Sequence, residues 1–203
     1  DWSRRRIRFS RPAGVFFLGP SVRYYVENVF EALDAEGEWF LDQDARKLYY
    51  HPRQGDNLAT CTAIAPVVRK TLLNIEGDPA LGLYVEHLYL EGLGFQHTGA
   101  DLTPTYQHSV QGAHCQRGAI VAKGWRNGRI EGCEFTHLGE HAVSLLDACS
   151  DTVITQCHIH DMGGGGVYLS ESHPTRPSPW LLTARNTVDN NIIHDGGHIF
   201  RAG

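Results

Sequence analysis

The chain has 203 residues, and its 41% hydrophobic against 20% charged content excludes a disordered polymer. A formal net charge of -5 argues against a nucleic-acid surface, which needs a basic field, and no run reaches the roughly 18 apolar residues of a membrane span. Five cysteines without a CxxC pair set aside a disulfide framework or zinc ribbon, and 22 glycines against one methionine point to a fold of many turns.

Taken from the N-terminus, Arg4-Arg-Arg6 is a short basic run that reads as a solvated face. Tyr24 to Leu33 reads as a strand followed by a helical turn. Glu38-Trp-Phe-Leu-Asp42 and Lys47-Leu-Tyr-Tyr-His51 are strand-like runs separated by Gln43-Asp-Ala-Arg46, the pattern of a β-hairpin, and Pro52 ends the second run. This divides the chain into residues 1–80, an N-terminal region with an inserted hairpin module at about 24–60, and residues 81–203, which carry a repeat. No signal peptide is visible. A start at Asp1 and a stop at Gly203 directly after a repeat unit read as a piece of a longer protein, truncated at its C-terminus.

Four segments align without gaps: Leu90 to Gly99, Ile130 to Gly139, Ile154 to Gly163 and Val188 to Gly197. Each has an aliphatic residue, a second apolar residue five places on (Phe95, Phe135, Ile159, Ile193), and a glycine four places later. Phe135 and Ile159 are 24 residues apart, which suits one coil of a β-solenoid and is too short for a βαβ unit with its helix. The other steps are 40 and 34 residues, and the surplus falls at about 100–116 and 170–180, beside the strand-like runs Ala119–Val121 and Val167–Leu169. Val143–Leu145 is the equivalent run in the uninterrupted coil. The expected fold is therefore all-β, a right-handed parallel β-helix. A sandwich of short strands would instead show hairpin turns every 8–12 residues or so. The glycines are expected to supply positive φ at a sharp corner. Cys133 and Cys157 share a column and read as stacked inward thiols; Asn190 and Asn191 read as the start of an amide ladder.

The strings Tyr24 to Asp34, Gly37-Glu-Trp-Phe-Leu-Asp42 and Lys47-Leu-Tyr-Tyr-His-Pro52 resemble a small hairpin module of secreted bacterial β-helix proteins. That group is similar to glycoside hydrolase family 141 and, more remotely, to the β-helix xylosidases of family 120. The resemblance continues through Cys133 to Gly139 and His160 to Val167 and covers most of the chain from Tyr24 onward. It implies a carbohydrate substrate and a secreted or periplasmic setting, without fixing the sugar or the oligomeric state.

Two places after the second apolar residue, the column reads His97, His137, Asp161, Asp195. Equivalent positions on neighbouring coils lie about 4.8 Å apart, which sets Asp161 beside Asp195. Two carboxylates at roughly 5 Å suit a retaining glycosidase, one as nucleophile and the other as general acid/base. An Asp at a turn corner also has a structural use in capping backbone N–H groups. His137, His160 and His194 fall on the same edge with His141 and His198 just beyond, and these are candidate donors to sugar hydroxyls. The two insertions would wall the cleft, the first with Tyr106, Gln107, His108, Gln111 and His114, the second with Glu171, His173, Arg176 and Trp180. Glu171 is the reserve acid. A metal held by His137, His160, Asp161 and His194 lacks a spacing motif, so neither metal nor cofactor is expected. The reading is a glycoside hydrolase acting on a polysaccharide or glycan. A polysaccharide lyase would want a basic cleft, and only Lys123 and Arg129 lie near the coils. A non-catalytic carbohydrate-binding or structural solenoid is the remaining alternative.

Overall fold

The computed structural model describes residues 26–66, 68, 71–100, 113, 116–171 and 181–200. The chain divides into two compact units, Phe16–Ile64 and the remainder.

In the smaller unit, β1 (Trp39–Asp42) and β2 (Lys47–Tyr50) form the expected antiparallel hairpin, with Trp39 opposite Tyr50 and Asp42 opposite Lys47. Its turn closes where the Ala45 N–H donates to Asp42 Oδ1 at 2.8 Å and Arg46 takes a φ of 52°. Ahead of the hairpin the residues from Val26 to Val29 form no strand, and the helical turn is a single 3₁₀ turn, Phe30–Ala32. Phe30 places its ring edge-on against Phe40 (5.4 Å) and Tyr49 (5.2 Å). No described residue of this unit is fully buried, and these three rings pack together among its described residues.

The larger unit is a right-handed parallel β-helix, with four coils and three main sheets among the described residues. The first sheet stacks β3 (Leu73–Glu76), β7 (Gly118–Lys123), β11 (His141–Leu145) and β14 (Val167–Leu169). The second stacks β5 (Tyr89–Glu91), β9 (Arg129–Glu131), β12 (Val153–Thr155) and β15 (Thr187–Asp189). The third stacks β6 (Gly94–Gln96), β10 (Glu134–Thr136), β13 (His158–Ile159) and β16 (Ile192–Ile193). A short ladder of β4 (Val85–Glu86) on β8 (Trp125–Arg126) lies at the corner between the first two sheets. Because β3 pairs with β7, the first coil begins ahead of residue 81. Within residues 73–80 the sequence lacks the aligned repeat because the repeat spans only the second and third sheets.

The register is the one the alignment implies. Phe95 pairs with Phe135, Phe135 with Ile159, and Ile159 with Ile193. Leu90, Ile130, Ile154 and Val188 form the equivalent column on the second sheet. Period-two alternation turns these residues inward. Ile130, Phe135, Ile154 and Ile159 lose all solvent contact, and the Phe95 and Phe135 rings stack at 4.9 Å. Cys133 and Cys157 are free, buried thiols in one column, each near the carbonyl of the residue two before it. Asn190 is a corner residue, while Asn191 spans two coils, donating to the Ile154 carbonyl and accepting from the Cys157 N–H. Asn186 makes the same pair of bonds to Cys149 and Thr152.

Three corners in each coil take left-handed backbone. Before the second sheet the corner residues are His87, Asn127, Asp151 and Arg185; after it they are Gly92, Gly132, Gln156 and Asn190. After the third sheet they are His97, His137, Asp161 and Asp195, at φ of 61°, 53°, 53° and 51°. Among L-residues, Asn, Asp and His tolerate this conformation best. The glycines expected to occupy it do so only at Gly197. Gly139 and Gly163 serve close approach instead: a Cβ on Gly163 would run into the Gly139 carbonyl, and one on Gly139 into the backbone of Gly99 and Ala100.

Candidate functional site

The outer edge of the third sheet gathers most of the candidate residues. Along each strand the inward apolar residue is flanked by two outward ones. Glu134 and Thr136 flank Phe135, His158 and His160 flank Ile159, and Ile192 and His194 flank Ile193. The left-handed corner follows immediately and points the next side chain away from the coil.

Asp161 and Asp195 occupy the same corner on successive coils, joined through the backbone by the Met162 N–H donating to the Asp195 carbonyl at 3.0 Å. Their carboxylates face solvent, with side chains 45% and 68% exposed, and their described partners are imidazoles, not backbone amides. Asp161 lies 3.5 Å from His137 Nε2 and 3.7 Å from His198 Nε2, one contact on each carboxylate oxygen. Asp195 Oδ2 is 2.9 Å from His194 Nδ1. His160 stacks on His194 with ring centres 5.3 Å apart and planes 11° apart. So Asp161, Asp195, His137, His160, His194 and His198 share one patch of surface.

His141 differs from the others. It is the first residue of β11 and is buried at 4% exposure. Its Nδ1 accepts from the Gly165 N–H at 2.8 Å and its Nε2 lies 2.8 Å from the Ala113 carbonyl, so the ring is a neutral bridge whose Nε2–H donates to Ala113. The Tyr168 ring stacks on it at 5.2 Å. Both nitrogens are committed, and a buried ring has no face for a sugar hydroxyl.

Glu171 is also placed elsewhere. It follows β14 on the first sheet, where Oε2 accepts from the Thr183 N–H at 2.8 Å. Its Oε1 is buried without a hydrogen-bond partner among the described residues. The carboxylate borders an open hollow of about 360 Å³, shared with Ser170, Thr183, Arg185 and Asn186. Tyr106 and Trp180, together with Gln107, His108, Gln111, His114, His173 and Arg176, lie outside the described residues.

Sequence reasoning missed Glu134, His158 and Thr136. The alignment already set them in register; the reading followed the corner column and passed over the outward positions beside each apolar residue. Of the two cations expected near the coils, Lys123 ends β7 as an exposed residue. Arg129 is bound to Glu131, whose carboxylate raises the guanidinium pKa and is itself held below the usual range.

Residues 107–176 match the family model of the right-handed β-helix region, and residues 4–53 match that of the GH141 insertion domain. Among solved structures, one titled glycoside hydrolase is 24% identical with a TM-score of 0.74. The likeness covers 85% of this chain and 35% of that one, so the chain spans about a third of the length of this relative. No curated protein matches. The chain thus resembles the GH141 type of right-handed β-helix, with the insertion-domain match covering the hairpin.

Proposed function

We propose that the chain is the β-helical part of a carbohydrate-active protein, a glycoside hydrolase acting on a polysaccharide or complex glycan outside the cytoplasm. The observation that carries this reading is the exposed Asp161–Asp195 column, two carboxylates one coil apart and bordered by His137, His194 and His198. A coil rise of about 4.8 Å suits the separation at which one carboxylate attacks the anomeric carbon while the other protonates the leaving oxygen. The imidazoles supply directional donors and acceptors for the sugar hydroxyls on either side. The insertion-domain match and the β-helical likeness to a glycoside hydrolase support carbohydrate as the substrate class.

A second reading draws on the corner geometry. All four residues of the column sit at positive φ, and His and Asp are among the L-residues that tolerate it, so a purely conformational role accounts for the column too. Asp161→Asn and Asp195→Asn separate the two, since asparagine keeps the left-handed preference and removes the acid. Under the hydrolase reading, each variant of the full-length protein retains its melting temperature and loses about 10²–10⁴-fold in hydrolysis of aryl glycosides or polysaccharides. Undiminished hydrolysis in both variants, with loss in Glu171→Gln, would move the acid to the hollow on the first sheet. Undiminished hydrolysis in all three would leave the column structural.

A further inference from the structure

The third sheet carries a cluster of ligating atoms that shares His160 and His194 with the patch around the carboxylate column. Glu134, His158 and His160 each present a ligand atom within 4.8 Å of the other two. His194 adds another nitrogen, its Nε2 lying 2.9 Å from His158 Nε2. We propose that Glu134, His158, His160 and His194 bind a single divalent transition-metal ion of the zinc class.

The solenoid explains why these atoms converge. Glu134 projects from β10, His158 and His160 belong to the next coil, and His194 follows β16 on the coil after that. Successive coils are separated by about 4.8 Å, so outward side chains at matching positions need only small rotations to share one ion. Tetrahedral zinc with metal–nitrogen bonds of about 2.0–2.1 Å asks its donors to stand roughly 3.3 Å apart. Three imidazoles and one carboxylate favour zinc, cobalt or nickel over the oxygen-seeking calcium and magnesium.

A second observation points to a ligand. His194 Nδ1 is held at 2.9 Å by Asp195 Oδ2, which leaves Nε2 facing His158; a carboxylate behind a metal-binding imidazole fixes its tautomer and its direction in this way. Thr136 Oγ1 lies 3.4 Å from His160 Nδ1 and leaves that ring's Nε2 near Glu134 Oε1. The rings are ordered against one another, with centres 4.1 Å apart for His158 and His160 and 5.1 Å for His158 and His194. Glu134 is 60% exposed, so an ion reaches the cluster from solution. Without metal, one ring donates an N–H to the other across the His158–His194 contact; an entering ion replaces that proton and ties three consecutive coils together.

The proposed ion shares His194 and Asp195 with the proposed sugar site, and metal uptake measured without substrate tells the two apart. The test takes full-length protein without a histidine tag, strips it with a chelator, and titrates it with zinc chloride in a calorimeter. The expected result is saturable uptake of one ion per chain. His158→Ala and His160→Ala each weaken affinity at least tenfold, and Asp195→Asn weakens it about 10–100-fold, as loss of a supporting carboxylate does. His97→Asn, on the corner of the first coil, leaves affinity unchanged. Cobalt titration of the unmutated protein adds a readout independent of any variant, the strong visible absorption of a tetrahedral cobalt site. Absence of saturable one-to-one binding, or equal affinity in His158→Ala, His160→Ala and the unmutated protein, overturns the proposal.

Discussion

The second and third coils and the fourth are built from the same inward columns, yet they are protected very differently. Ile130, Phe135, Ile154 and Ile159 have no exposed surface, whereas Val188 and Ile193, one coil further on, are 40% and 45% exposed. The residue types and the register are alike; what differs is how many described coils pack against them. Among the described residues, Val188 and Ile193 have a coil on one side only. A solenoid has no central core that every residue shares, so an inward residue is as buried as its two neighbouring coils make it. The chemistry along the third sheet follows the same rule, since each cluster of imidazoles and carboxylates is assembled by stacking one coil on the next.

The largest expected effect comes from hollowing a middle coil. Phe135→Ala should cost about 3–5 kcal/mol, because the ring is fully buried and stacked on Phe95. In the 203-residue chain taken by itself, Ile193→Ala, in the equivalent column with a described coil on one face, should cost about 1–2 kcal/mol. Urea denaturation of the two variants measures the difference, and equal costs would break the nearest-neighbour account. Thiol labelling sharpens the contrast at smaller amplitude. Burial pushes the Cys149 thiol up to about 11 and raises Cys157 as well, while Cys61 is exposed. With Cys115 replaced by serine, a disulfide reagent at about pH 8 should modify Cys61 at once and the three buried thiols only as the coils open. Labelling of Cys149 at the rate of Cys61 would mean that the middle coils open as readily as the surface.

Much of the coil was legible because the solenoid writes its period into the sequence. Four apolar pairs five residues apart gave the second and third sheets in their observed register. The strand-like runs Ala119–Val121, Val143–Leu145 and Val167–Leu169 fall within β7, β11 and β14. The corners were read less well, for a physical reason. Glycine was taken as the mark of positive φ, but His97, His137, Asp161 and Asp195 take that conformation themselves and leave Gly139 and Gly163 for close packing. The same substitution blurred the site, since a column of His and Asp carries a conformational signal and a chemical one at once. His141 could not be distinguished from its neighbours without knowing that it opens a strand whose five residues are all buried. Glu134 and His158 were open to inspection, because alternation about Phe135 and Ile159 places both on the outer face.

The smallest effect is expected where the third and fourth coils are fastened together. Arg185 on the fourth coil grips Asp151 on the third through two hydrogen bonds, Nε to Oδ1 at 2.7 Å and Nη2 to Oδ2 at 2.6 Å. Both residues occupy the left-handed corner before the second sheet, which is why they stand in register. The geometry is the strong bidentate one, but the side chains are 67% and 37% exposed, so solvent screening keeps the contribution small. The hydrogen bond from Arg185 holds the Asp151 carboxyl below its ordinary value. A carboxylate with a depressed folded pKa stabilises fully above its unfolded value, about 3.9, and loses that contribution as pH falls through the folded one. Asp151→Asn keeps the corner conformation and removes the charge. It should therefore cost a few tenths of a kcal/mol in urea denaturation at about pH 7, less in roughly 1 M salt, and nothing at a pH below the depressed pKa. A cost that persists at that low pH would mean that Asp151 holds its corner by hydrogen bonding alone, and that the fourth coil is fastened by its backbone ladder and the Asn186 and Asn191 bridges without help from charge.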